Sequence, residues 1–146
     1  MTTPELYNLK RFESAQSKIY TKVVSELKRG KKVSHWMWFI FPQIDGLGSS
    51  TTAKFYSIKE INEAKAYLAH PLLSQRLQEC TQILLSINGY SALQILGSPD
   101  DLKLKSCMTL FAYISKQDSF YHQILKKYYN NISDQKTLVL LKNTSI

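Results

Sequence analysis

The longest regular pattern of apolar positions lies near the start of the chain. From Leu6 the apolar residues recur at intervals of 3, 3, 3, 4, 4 and 4 positions and end at Leu27. This spacing is typical of one face of a helix. Gly30 follows Lys28 and Arg29, which matches the way many helices end. The pattern therefore predicts one long helix from Leu6 to Leu27.

Shorter apolar stripes of the same period continue along the chain, and no alternating pair of strands is found. Each stripe follows a residue that commonly begins a helix. The predicted starts are Ser57 with Glu60, Pro71 after His70, Ser91, Ser98 with Pro99, Asp118 or Ser119, and Asp134. The pattern predicts a mainly α fold of about six to seven helices. We expect residues 1–146 to form a single domain, with 1–5 and 143–146 as frayed tails.

The densest aromatic segment is SHWMWFIFPQ, from Ser34 to Gln43, which contains both tryptophans. Ser34 could cap a short helix that Pro42 ends, although aromatic residues also favour an extended segment. On a helix, Trp36 and Trp38 would lie about 200° apart. One of them is therefore expected in the core, and the other could stack on a ligand ring.

Polar residues near this motif, together with two acids at the predicted start of a later helix, could complete a pocket for a flat anionic ligand. An imidazole can act as acid or base, although one at a helix start often bonds to backbone. Paired acids can stabilise a cationic sugar or activate water, and they also suit the first turn of a helix. The candidate catalytic residues are His35, Asp100 and Asp101. The candidate ligand-binding residues are Lys32, Trp36, Trp38, Gln43 and Lys54.

Composition limits the classes of function. The net charge is +8, yet 16 of the 19 basic residues are lysines spread along the chain. Specific recognition of bases favours arginine, so nucleic acid is an unlikely partner. The chain contains no apolar run of membrane length, and charged residues among the first 20 argue against a signal peptide. Cys80 and Cys107 lie in helical stripes, so we expect a cytoplasmic protein with reduced thiols. The three histidines are far apart in sequence, so neither metal nor cofactor is expected. The sequence does not indicate the oligomeric state.

Two long motifs, SHWMWFIFPQ and GSPDDLKLKSCMTLF, resemble an uncharacterised bacterial family, domain-of-unknown-function family 1810. The similarity extends over nearly the whole chain. It includes an opening LxRFxxAQ pattern from Leu9 to Gln16 and the AYLAHPLL run from Ala66 to Leu73. The resemblance implies a helical single domain and carries no established activity.

The chain is also distantly similar to the NADAR family, which is associated with NAD and ADP-ribose chemistry and includes N-glycosidases. WFIFPQ is similar to that family's aromatic FSNFYP segment, and AKFYSI falls where an A-x-KF pattern is expected. The family's glutamate would fall near 49–52, where this chain has no acid. If glycosidic cleavage needs that carboxylate, Asp100 or Asp101 is the nearest candidate in kind.

Three hypotheses follow from these residues and resemblances. The first is a pocket for an ADP-ribose-like nucleotide, in which Trp36 or Trp38 stacks and Lys54 or Lys32 meets phosphate. If this pocket is catalytic, the reaction would be hydrolysis of an N-glycosidic bond. The second hypothesis is a non-catalytic module that binds a protein partner. The third is a basic nucleic-acid-binding domain.

Overall fold

Helices account for most of the chain in the computed structural model, which describes residues 6–144. The structure is 66% helical, and the described residues form no strand, which confirms the predicted mainly α fold. Ten helices occur in this part of the chain, and seven of them have eight or more residues. They are α1 (Lys10–Ser17), α2 (Tyr20–Lys28), α3 (Met37–Ile40), α4 (Thr51–Phe55), α5 (Ile61–Ala69), α6 (Pro71–Ser86), α7 (Ala92–Leu96), α8 (Asp100–Tyr113), α9 (Phe120–Tyr129) and α10 (Gln135–Thr144).

The number of helices is higher than predicted for two reasons. Helix α4 was not predicted, because its five residues are too few for a periodic pattern. The predicted first helix is also broken, because Ile19 has a φ of −137° between α1 and α2. Three-residue intervals fall short of a 3.6-residue turn and four-residue intervals exceed it, so the two halves of the stripe would drift apart on one straight helix. The break lets both Phe12 and Val23 enter the core.

The segment between α3 and α5 differs most from the sequence prediction, which places a capping box and a helix start at Ser57 and Glu60. Ser50 caps α4 by accepting from the backbone N–H of Ala53 at 3.0 Å. Ile44 and Ile58 form an isolated parallel bridge. Ser57 therefore lies buried beside the bridge rather than at a helix start, and α5 begins after Glu60. The capping-box prediction was wrong because the bridge uses the backbone that a longer helix would need.

Most other helix ends agree with the sequence. Pro71 begins α6, Ser91 forms a capping box with Gln94, and Ser119 rather than Asp118 caps α9. Helix α8 is an exception, because it begins at Asp100 without a side-chain cap, and the predicted Ser98 cap was wrong. The last helix reaches Thr144, so it includes 143 and 144 of the predicted tail. The predicted tail residues 1–5, 145 and 146 lie outside the described residues.

Helix α8 lies at the centre of the core. It packs against α7, α9 and α10, and α6 packs against α2, α5 and α9. Of the apolar stripe that the sequence predicts on this helix, Leu104, Cys107, Met108 and Phe111 are fully buried, and Ile114 at its end is partly buried. Helix α1 packs against α3 and α6, and residues of α1, α3 and α4 line open grooves at the surface.

Candidate functional site

A buried carboxylate fixes the first tryptophan of the aromatic motif. Glu26 on α2 accepts hydrogen bonds from the backbone N–H groups of Val33 (2.8 Å) and Ser34 (3.0 Å), from Ser34 Oγ (2.6 Å) and from Trp36 Nε1 (2.9 Å). Burial would raise the pKa of Glu26, but these donors outweigh it and lower the pKa to about 2. Trp36 is fully buried and therefore belongs to the core. Helix α3 begins after Trp36, so the predicted Ser34 cap was wrong.

Three charged side chains surround the two indole rings. Lys32 Nζ lies 2.9 Å from Asp100 Oδ2 and 5.1 Å from the ring centroid of Trp36. Lys103 Nζ lies 3.6 Å from Asp100 Oδ1 and 4.9 Å from the ring centroid of Trp38. The structure thus brings Lys32 and Asp100 together, as expected of a site. The two cations already neutralise the carboxylate, however, and they cover faces of the indoles.

Trp38 and Gln43 share a small cavity with the glycine-containing loop that follows them. Its volume is about 20 Å³, which is room for about one water molecule. The loop is closely packed there, because a Cβ on Gly48 would lie 2.7 Å from Ala53 Cβ. Binding pockets for small molecules are commonly about 300–1,000 Å³. This cavity is therefore too small for a nucleotide in the conformation described.

The remaining predicted residues are separated from this cluster. His35 is exposed, and its side chain makes no hydrogen bond within residues 6–144. Asp101 accepts a 2.5 Å hydrogen bond from Tyr129 at its backbone carbonyl, and its buried Oδ1 has no partner among the described residues. Lys54 lies exposed on α4. His35, Asp101 and Lys54 therefore do not converge with Lys32 and Asp100 on one pocket.

A larger opening lies on the other side of the aromatic motif. This aromatic groove, of about 450 Å³, is lined by Arg11, Ser14, Ala15, Lys18, Ile19, Phe39, Phe55 and Tyr56. Phe55 is 52% exposed, and its ring centroid lies 4.8 Å from that of Tyr56. Tyr56 in turn lies 5.3 Å from Phe39. Three adjoining rings are thus accessible to a ligand, and Phe39 comes from the predicted motif.

A second groove adjoins the aromatic groove and contains Lys54. This Lys54 groove has a volume of about 350 Å³ and shares Arg11 and Phe55 with its neighbour. Lys54 and Lys59 line it and are both exposed. The structure therefore places the predicted phosphate-binding Lys54 beside Phe55 rather than beside the tryptophans.

Arg11 separates the two grooves and holds their walls together. Its five N–H donors are all used, by four backbone carbonyls and one carboxylate. The acceptors are Tyr7 O (2.6 Å), Asn8 O (2.9 Å), Phe55 O (2.7 Å), Ser57 O (2.9 Å) and Glu63 Oε2 (2.8 Å). A guanidinium with no free donor positions the aromatic wall and does not itself bind a ligand.

Sequence reasoning missed the roles of Arg11, Glu26 and Phe55. Arg11 and Glu63 are 52 positions apart, and neither helical spacing nor capping patterns connect them. Glu26 is the acid within an otherwise apolar and basic stretch, which is a weak signal of a buried partner. Phe55 lies in the AKFYSI segment, and the residues next to it in the sequence do not show whether its side chain is exposed or buried.

No group of three or more His, Cys, Asp or Glu side chains in residues 6–144 could hold a metal ion. Within the same range, every helix is too short or too polar to cross a bilayer.

Comparison with known proteins places the chain among uncharacterised relatives. It is similar to a solved structure described as the conserved hypothetical protein Rv1873 from Mycobacterium tuberculosis, with 48% sequence identity and a TM-score of 0.91. That similarity covers 93% of this chain and 97% of the other. No curated protein matches the chain significantly. Residues 6–141 match the family described as "Protein of unknown function (DUF1810)", and the chain belongs to this family.

Proposed function

We propose that the protein binds a nucleotide-type ligand, of which ADP-ribose is the reference compound, in the aromatic groove. The observation that carries the proposal is an open groove of about 450 Å³ lined by Phe39, Phe55 and Tyr56. Its volume lies within the range of small-molecule pockets. The ligand class is the one that the sequence suggests. The proposed binding position lies at the rings of Phe39, Phe55 and Tyr56 rather than at the tryptophans.

The chemistry of the groove suits a flat ring that carries negative charge. A ring stacked on Phe55 would cover a side chain that is now half exposed to water. Stacking of a base on an aromatic side chain contributes about 1–3 kcal/mol. Lys18 lines the aromatic groove and Lys54 lines its neighbour, so a cation is available on either side of the rings. Both lysines are exposed, and neither forms an ion pair in the described part of the chain.

The proposal is for binding rather than hydrolysis. His35, Asp100 and Asp101, the predicted catalytic residues, do not line either groove. Asp100 is also engaged by Lys32 and Lys103. N-glycosidic cleavage remains a prediction of the distant resemblance, and the aromatic groove does not supply a carboxylate for it.

Thermal unfolding and calorimetric titration with ADP-ribose, NAD and AMP would test this proposal. We expect a saturable rise in melting temperature for the wild-type protein, since a ligand that binds the folded state stabilises it. Phe55→Ala should weaken binding by roughly fivefold or more, which corresponds to at least 1 kcal/mol of stacking. Tyr90→Ala is the matched control, because Tyr90 is 57% exposed and lines neither groove.

Two results would contradict the proposal. One is the absence of binding for all three nucleotides at millimolar concentration, and the other is an equal loss of affinity in Phe55→Ala and Tyr90→Ala. Either result would favour the alternative that the exposed rings contact a protein partner.

A further inference from the structure

A third groove continues from the aromatic groove along α2. This basic groove has a volume of about 740 Å³, and its lining includes Lys18, Tyr20, Thr21, Lys22, Ser25 and Arg29. Lys18 and Ile19 line both openings, so the two grooves adjoin at these residues. The surface therefore changes along one path from aromatic rings to cations and hydroxyl groups.

The cations of the basic groove are not neutralised by the protein. Lys18, Lys22 and Arg29 are exposed, and their side chains form no ion pair or hydrogen bond within residues 6–144. Glu26, the acid on α2, is turned into the core and accepts its four hydrogen bonds there. Glu79 adjoins the groove and accepts a hydrogen bond from the Tyr20 hydroxyl. The three unpaired cations outnumber the neighbouring carboxylate of Glu79, so the surface of the groove carries a net positive charge.

We infer that the ligand of these connected grooves is a single-stranded nucleic acid. One or two bases stack on the rings of the aromatic groove, and the following phosphates lie along Lys18, Lys22 and Arg29. Aromatic platforms beside a positively charged groove are the usual means of holding single strands without reading their sequence. This inference rests on the proposed function and extends its ligand from one nucleotide to a short strand.

The dimensions fit a short strand better than a single nucleotide. The nine residues of α2 rise about 13 Å, and a stacked strand advances about 3.4 Å along its axis for each nucleotide. Successive phosphate groups are further apart than this axial rise, so the basic groove has room for about two to three phosphates beyond the stacked base. A mononucleotide in the aromatic groove would leave Lys22 and Arg29 without a partner.

The distribution of lysines along the sequence argued against a nucleic-acid partner. That argument concerned recognition of base edges, for which bidentate arginine side chains are favoured. Stacking with phosphate neutralisation needs no such side chain, and lysine serves it as a point charge. The folded chain also brings Lys18, Lys22 and Arg29 to one groove, although basic residues are spread along the whole sequence.

Fluorescence anisotropy with labelled oligothymidylates of about two, four and eight nucleotides tests the inference, because length separates one stacked base from a longer contact. We expect affinity to rise at least tenfold between two and four nucleotides. We expect a log–log salt slope near −2, as three neutralised phosphates would give in single-stranded DNA. The double variant Lys22→Glu with Arg29→Glu should lose at least tenfold in affinity for the longer strand. Its calorimetric affinity for ADP-ribose should change less than threefold.

The control is Lys116→Glu with Lys136→Glu, which lowers the net charge by the same amount at exposed positions outside all three grooves. It should keep strand affinity within threefold of the wild type. Equal loss in both double variants, or no gain in affinity with length, would overturn the inference. If ADP-ribose still binds in that case, the proposed function survives without the inference. If neither ADP-ribose nor any strand binds, both are wrong.

Discussion

At the scale of single residues, the Glu26 side chain alone orders the turn between α2 and α3. Its carboxylate accepts four hydrogen bonds, including one from the Trp36 indole. The sequence predicts that one tryptophan of the pair is buried, but it does not say which. The contact that decides this is made by an acid ten positions earlier, and no local pattern connects the two residues.

Glu26→Gln should lower the free energy of unfolding by about 1.5–3 kcal/mol, the usual contribution of a hydrogen bond to a charged group. The amide keeps the size of the side chain, but its neutral oxygen accepts more weakly at the Oε1 position, where three donors converge, and its NH2 replaces the Oε2 acceptor of Ser34 Oγ. Urea unfolding followed by tryptophan fluorescence measures the change. Glu79→Gln is the control, because Glu79 is exposed and the amide oxygen can still accept from Tyr20. A loss of stability equal to that of this control would contradict the role given to Glu26.

The same carboxylate should make stability depend on pH. Its pKa falls from 4.5 to about 2 on folding, so the charged form stabilises the folded state. The contribution is present above about pH 4.5 and is lost as the pH falls towards 2. The difference in unfolding free energy between the wild type and Glu26→Gln should therefore shrink over this range. A difference that stays constant from pH 6 to pH 2 would show that Glu26 is not held in its charged form.

Among the helices, the long ones follow from the sequence and the connections between them do not. Apolar periodicity and caps such as Ser91 and Asp134 mark helix positions, because they depend on residues three or four apart. The Ile44–Ile58 bridge and the break at Ile19 depend on partners far along the chain. Arg11 shows this most clearly, since it joins α1 to the segment around Phe55 and to α5.

Arg11→Lys should lower the free energy of unfolding by about 1–3 kcal/mol, because it removes two of the five donors and leaves partly buried acceptors unpaired. Arg29→Lys is the matched control. Arg29 is exposed and unpaired in the described region, so this change should stay within about 0.5 kcal/mol. Urea unfolding of both variants measures the difference. Equal stabilities would mean that the Arg11 hydrogen bonds do not hold the groove walls.

Gly48→Ala should cost about 1–3 kcal/mol, since its Cβ would lie 2.7 Å from Ala53 Cβ and overpack the contact between the loop and α4. In an Ala53→Gly background the clash is absent, so the same substitution should cost less. A double-mutant cycle by thermal unfolding measures this coupling. Additive effects would show that the loop does not pack against α4 in this way.

For the whole molecule, the grooves are the property that the sequence could not predict. The aromatic groove takes its rings from α3 and from the end of α4, and its lysine from the break after α1. The sequence indicates site residues by their chemistry, and all of them except Asp100 and Asp101 also lie close to the aromatic motif along the chain. Folding instead packs Trp36 into the core and pairs Lys32 with Asp100. The cavity beside Trp38 has a volume of only about 20 Å³.

The most direct test of the proposed site is an NMR titration of the ¹⁵N-labelled wild-type protein with ADP-ribose. The binding account predicts saturable shifts of the backbone amide signals of Lys18, Phe39 and Phe55, with signals of His35 and Asp100 unchanged. Shifts centred on His35, Gln43 and Asp100, or no saturable shift at all, would contradict binding in the aromatic groove.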